Sequence, residues 1–113
     1  MIRVYGIKTW DSVRKALRFF KDNNIEVEFF DFKKELPASS LVESWVQRAD
    51  INLLFNARGT KYRTLKLKEL NLDDNGKKEW LIKEPMLLKR PLIDYDNKVM
   101  VAFNEDIYKE TFL

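Results

Sequence analysis

The segment that decides how the chain folds is Tyr5-Gly6-Ile7-Lys8-Thr9-Trp10-Asp11-Ser12-Val13-Arg14-Lys15-Ala16. Residues 1–5, which lead into this segment and include its first residue, are rich in β-forming side chains. They predict a first strand that ends at Gly6. After the loop, apolar residues recur at i, i+3, i+4 and i+7, which is the spacing of an amphipathic helix. These residues are Val13, Ala16, Leu17 and Phe20. The segment therefore predicts a strand, a tight loop and a helix, with Thr9 or Asp11 as the N-cap and Asn23-Asn24 as the end.

A second strand follows, because Ile25, Val27 and Phe29 alternate with two glutamates. Two strands joined by a helix of this length predict a parallel pair with a right-handed crossover.

The middle of the chain has mainly helical signals. Ser40 and Glu43 have capping-box spacing, and Val42, Trp45, Val46 and Ala49 follow at helical intervals. We expect residues 51–55 to form a short apolar connector, and residues 60–65 a short helix after the turn at 56–59. Residues 73–76 predict a turn or helix cap before a weak helix at 77–83, and Pro85 predicts a helical turn through Leu88.

The last third of the chain changes to a period of two. Residues 92–94 and 98–101 are β-prone and flank the turn signal Tyr95-Asp96-Asn97, so an antiparallel hairpin is predicted. Asn104 is predicted to cap a final helix whose inner face carries Tyr108, Thr111 and Phe112.

Composition bounds the function. The 113 residues contain no Cys and no His, so disulfides, thiol chemistry, imidazole catalysis and Cys/His zinc sites are absent. A net charge of +3 is a mild bias, and we expect no direct DNA binding. No apolar run is long enough to span a membrane. We expect a single domain over residues 1–113, no signal peptide, no membrane association and a cytoplasmic location.

Three segments resemble the arsenate reductase-like family, which includes ArsC, Spx and YffB proteins. The first is the opening segment. The second is Leu54-Phe55-Asn56-Ala57-Arg58-Gly59-Thr60-Lys61-Tyr62-Arg63-Thr64-Leu65, and the third joins Pro85-Met86-Leu87-Leu88-Lys89-Arg90-Pro91-Leu92-Ile93-Asp94 to Val101-Ala102-Phe103-Asn104-Glu105-Asp106. The resemblance implies an α/β, thioredoxin-like fold. It would have a mixed sheet of about four strands, arranged as β-α-β and then β-hairpin-α, with a helical insert.

The resemblance places Trp10 where the family carries its nucleophilic cysteine. Spx proteins carry a Cys-x-x-Cys switch, and here both of its positions, Ile7 and Trp10, lack sulfur. A thiol at a helix N-terminus becomes reactive because unpaired N–H groups and the helix dipole favour the thiolate. An indole has only an N–H donor. We therefore expect no arsenate reductase activity and assign no catalytic residue.

The resemblance also implies an anion or ligand site. The family has a cis-proline next to the active-site loop, which implies a cis Pro91 and an Arg90 directed at Thr9 and Trp10. Arg14 lies one helical turn after Trp10, so Arg14, Arg58 and Arg90 could line an anion site at the helix N-terminus. The arginine that arsenate reductases carry near the end of the hairpin aligns with Ala102.

Several functions remain open at this stage. Trp10 is either an exposed anchor for a ligand or a buried plug in a vacated active site. The first hypothesis is a non-catalytic pseudoenzyme that binds a protein partner or a small anionic ligand without any cofactor. The second is a glutathione-dependent oxidoreductase or transferase, with a glutaredoxin-like fold, in which bound glutathione supplies the thiol. The third is an Spx-like regulator that binds the α-subunit of RNA polymerase.

Overall fold

A computed structural model describes all residues, Met1–Leu113, and divides them into two compact units. The sheet unit comprises Met1–Lys34 and Arg90–Leu113, and the helical unit comprises Glu35–Lys89. The elements of the sheet unit are β1 (Ile2–Gly6), α1 (Asp11–Asp22), β2 (Val27–Asp31), β3 (Leu92–Tyr95), β4 (Lys98–Val101) and α6 (Glu105–Phe112). The α-helices of the helical unit are α2 (Ser39–Arg48), α3 (Ile51–Leu54), α4 (Thr60–Thr64) and α5 (Asp74–Lys83). Leu67–Leu70 and Pro85–Leu87 form 3₁₀ turns.

The sheet is mixed and has four strands in the order β2-β1-β3-β4. β1 runs parallel to β2, with Val4 opposite Phe29, and antiparallel to β3, with Val4 opposite Ile93. β3 and β4 form the predicted antiparallel hairpin. This is the thioredoxin-like arrangement, and it confirms the predicted β-α-β and β-hairpin-α order.

One face of the sheet is covered by α1 and α6. Alternate strand residues such as Val4 and Ile93 pack against Ala16, Phe20 and Tyr108, all of which are buried. The aromatic rings meet edge to face, with Phe19 and Tyr108 at 5.4 Å, a geometry that aromatic quadrupoles favour. This core fixes α1 against β1 and so positions the loop between them.

The buried apolar residues of the helical unit include Val42, Trp45, Leu54 and Leu81. Phe55 and Leu88 form an antiparallel bridge, in which Lys89 N donates to Leu54 O at 2.8 Å. This bridge holds the chain just before Arg90.

Four local predictions were wrong. α1 is capped by Trp10 rather than by Thr9 or Asp11, because the Trp10 N–H bonds Ile7 O and the backbone turns helical only after it. Ser40 lies inside α2, whose N-cap is Ala38, so the capping box does not form.

Residues 51–54 form a helix rather than a connector, because Asp50 caps it by accepting a hydrogen bond from Asn52 N. Thr111 is exposed rather than inward-facing, and its hydroxyl donates to Ile107 O. The predicted Asn104 cap is confirmed, since its Oδ1 accepts from Ile107 N at 3.0 Å. No helix is both long enough and apolar enough to cross a bilayer. The cytoplasmic location and the single-domain organisation stay predictions.

Candidate functional site

The loop after β1 depends on a close approach between Gly6 and α1. A Cβ atom on Gly6 would lie 2.8 Å from Val13 Cγ2, so any side chain there would push the helix away from the strand. The Gly6 carbonyl also accepts a hydrogen bond from Phe32 N at 2.8 Å. The glycine of the opening segment thus allows α1 to pack close against the end of β1.

Trp10 stands at the N-terminus of α1. Its backbone is extended, with φ −77° and ψ 137°, and its carbonyl accepts the first helical bond from Arg14 N at 3.0 Å. Its side chain makes no capping hydrogen bond, since an indole has no acceptor. The N-terminal N–H groups of α1 therefore receive no acceptor from the residue that usually supplies one.

The guanidinium of Arg90 lies over the indole ring of Trp10, with Cζ 2.8 Å from the ring centroid. Arg90 is half-buried, and burial lowers its pKa to about 10. It is therefore still protonated at neutral pH. The guanidinium faces the indole rather than a carboxylate, and the negative face of the indole ring stabilises its charge.

The backbone around Arg90 is held at both ends. The Arg90-Pro91 bond is cis, as the resemblance implied. Ser12 Oγ donates to Arg90 O at 3.1 Å, and Ala102 N donates to Pro91 O at 2.9 Å. The buried hydroxyl of Tyr108 in turn donates to Ala102 O at 2.7 Å. Helices α1 and α6 and the hairpin end all fix the segment that carries Arg90.

The structure brings together only part of the predicted set. Trp10, Arg90 and Pro91 meet as expected, and Thr9 lies exposed in the same loop. Arg14 is exposed and pairs with Asp11 Oδ1 at 3.3 Å.

This pairing makes Arg14 a surface ion-pair residue. Hydrogen bonds from Lys15 and, to a smaller extent, from Arg14 lower the pKa of the Asp11 carboxyl. Arg58 lies in the helical unit, where its N–H donates to Asn56 Oδ1. Whether these residues bind an anion stays a prediction.

Two positioning residues were missed from the sequence. Ser12 gives no signal beyond a hydroxyl in the first helical turn, and its partner lies far along the chain. Ala102 has a left-handed backbone with φ 68°, which a non-glycine residue rarely adopts.

The fold and the loop define a thioredoxin-like α/β protein with a tryptophan at the head of its first helix. The chain belongs to the ArsC family, whose model matches residues 5–111. An uncharacterized protein of Haemophilus influenzae is 38% identical to it, and the match covers 99% of each chain.

Solved structures agree with this assignment. A Staphylococcus aureus protein is 36% identical over 100% of this chain and 99% of its own, with a TM-score of 0.80. A protein named YFFB has a TM-score of 0.88 with full coverage of both chains, and at 24% identity it supports the fold alone.

Proposed function

We propose that this protein is a non-catalytic member of the ArsC family that binds a small anionic ligand, or an anionic group of a partner protein, at Trp10 and Arg90. The observation that carries the proposal is the environment of the Arg90 guanidinium. It is half-buried, protonated and stacked on an indole, and no carboxylate contributes to its pKa shift. A partly desolvated cation in this state is a favourable counter-charge for an anion.

Stacking on Trp10 leaves the N–H edge of the Arg90 guanidinium able to bind an anion. A guanidinium is planar, so it can use its face for an aromatic ring and its N–H edge for a carboxylate or phosphate at the same time. The N-terminus of α1 lies beside it and has no side-chain cap. N–H groups at a helix N-terminus favour negative charge. The cation and the helix end therefore favour the same class of ligand.

Thiol redox chemistry has no side chain to carry it. The sequence has no cysteine, and Trp10 holds the position that the family gives to its nucleophile. An indole contains no sulfur, so it can neither form a sulfur–arsenic bond nor exchange disulfides. The proposed function is therefore binding.

Glutathione is the second candidate, because the uncapped helix end and Arg90 fit one of its carboxylates. When bound, it would supply the thiol that the chain lacks, while Arg90 would orient it. Binding to the α-subunit of RNA polymerase, in the manner of Spx, is a third proposal that rests on the family resemblance.

An NMR titration tests the site directly. We expect phosphate, arsenate or glutathione to shift the indole N–H of Trp10 saturably, and Arg90→Gln to abolish the shift. Arg18→Gln is the matched control, because Arg18 is an exposed arginine of α1 outside the loop. If no anion shifts the Trp10 signal, or if Arg90→Gln binds as well as the wild type, the anion site is wrong. A response to glutathione alone would favour the second candidate.

A further inference from the structure

We propose that a basic groove on the helical unit binds an acidic segment of a partner protein through an apolar anchor and flanking carboxylates. The groove has a volume of about 460 Å³, within the range of known ligand sites. It is lined by Ala57, Arg58, Tyr62, Arg63, Lys66, Lys68 and Glu69. None of the residues of the Trp10 and Arg90 site lies in it, so the two proposals stand or fall separately.

The charge of the groove is concentrated and largely unpaired. The sequence from Arg58 to Lys68 contains five basic residues and no acidic one. Lys61 pairs with Glu84 at 3.7 Å outside the groove. The four cations that line the groove form no ion pair, and Glu69 is the one carboxylate among them. An acidic ligand would gain the charge partners that the protein itself does not supply.

Part of the lining of the groove is apolar. Tyr62 is half-buried, and its ring packs edge to face against Phe55 at 5.9 Å and 85°. Ala57 is another apolar residue of the lining. A rigid aromatic ring suits an apolar side chain, because it buries apolar area at little entropic cost. The groove therefore fits a peptide in which an apolar residue sits between acidic ones.

A break in the helical backbone also places basic side chains in the groove. Lys66 is left-handed, with φ 54°, at the break between α4 and the following 3₁₀ turn. This break lets Lys66 and Lys68 line the same groove as Arg63 of the preceding helix.

The same features favour a peptide over a nucleic acid. Nucleic-acid sites need an extended basic stripe that follows successive phosphates. This groove is compact and contains Glu69, which would repel closely spaced phosphates. The net charge of +3 for the chain is also small for a nucleic-acid-binding protein.

Fluorescence anisotropy with a short labelled peptide of Glu residues around one Leu tests the proposal. We expect saturable binding that weakens as salt rises, because the charge contacts are exposed. Lys66→Gln with Lys68→Gln should weaken binding by roughly fivefold to tenfold. Lys21→Gln with Lys98→Gln is the matched control, since it removes the same charge from exposed residues of the sheet unit and should leave binding unchanged. Circular dichroism checks that all variants fold.

A second pair of variants tests the anchor. Replacing the Leu of the peptide by Ser should weaken binding to the wild type. The Tyr62→Ala variant should bind the Leu and Ser peptides with the same affinity. The proposal is overturned if the peptide fails to bind, if the two double variants weaken binding equally, or if a Gln-for-Glu peptide binds as well. Tighter binding of a single-stranded oligonucleotide, with the same dependence on Lys66 and Lys68, would also overturn it. Arg90→Gln should leave peptide binding intact, even if anion binding at Trp10 is lost.

Discussion

Replacing Trp10 and Arg90 by alanine, singly and together, measures how strongly the indole holds the guanidinium. Trp10 is half-buried and lies under Arg90 at 2.8 Å. A cation on an indole contributes about 0.5–1 kcal/mol when exposed and about 2 kcal/mol when desolvated. Because Arg90 is half-buried, we expect a coupling free energy of about 1–1.5 kcal/mol.

The single substitutions should differ in cost. Trp10→Ala should lower the free energy of unfolding by about 2 kcal/mol, since it loses the stack and part of the buried indole area. This lies below the roughly 3–5 kcal/mol expected when a fully buried aromatic is removed. The sequence left two roles open for Trp10, an exposed anchor and a buried plug. Neither describes the structure fully, because the indole ring is half-buried and packs against Arg90 of the same protein.

Urea denaturation followed by far-UV circular dichroism is the assay, because Trp10 fluorescence changes with the substitution itself. The m values should stay the same across variants, so that differences report stability. A second cycle with Trp10→Ala and Arg18→Ala is the control and should be additive within about 0.3–0.5 kcal/mol. If the Trp10 and Arg90 cycle is equally additive, the stack does not stabilise Arg90, and the basis of the anion site is lost.

Other consequences can be tested with simple variants. Purified protein should show no arsenate reductase turnover with glutathione and glutaredoxin or with thioredoxin, and turnover above the protein-free blank would contradict this. Trp10→Cys should give a thiol pKa below about 8.5, whereas Thr9→Cys, in the exposed loop, should stay near that reference. Ala102→Gly should raise stability by about 0.5–1 kcal/mol in urea denaturation, because it relieves a left-handed backbone; a loss would refute the strain. Gly6→Ala should cost about 1–3 kcal/mol by overpacking, and Val13→Ala should partly rescue it.

The strands and the long helices were predictable because their signals are local. The apolar stripe of α1 and the alternation of β2 lie within a few residues, and the packing of the sheet unit agrees with both. The helix at Ile51–Leu54 was missed, because a short apolar run has no period that separates a helix from a connector. The Ser40 cap failed because α2 begins at Ser39, two residues earlier than that spacing implies.

The candidate site was predictable only through the family resemblance. An X-Pro bond is cis in about 5% of cases, so nothing in the dipeptide Arg90-Pro91 indicates its geometry. The contact between Arg90 and Trp10 joins residues far apart in sequence, as does the hydrogen bond from Ser12 to Arg90 O. The basic groove was also missed, since Lys66 and Lys68 resemble an ordinary solvated pair until the chain folds.

The stack offers a physical reason for a tryptophan at this position. The backbone of Arg90 is fixed by the hydrogen bond from Ser12 Oγ and by the end of the hairpin, so its side chain starts from the same point whichever residue stands at position 10. A thiolate there would neutralise the guanidinium directly, and a small neutral residue would leave it uncompensated. The π face of an indole stabilises the cation without offering a nucleophile, and it leaves the N–H edge of Arg90 free to bind. Trp10 thus offers no nucleophile, and it stabilises the cation that the proposed anionic ligand would need.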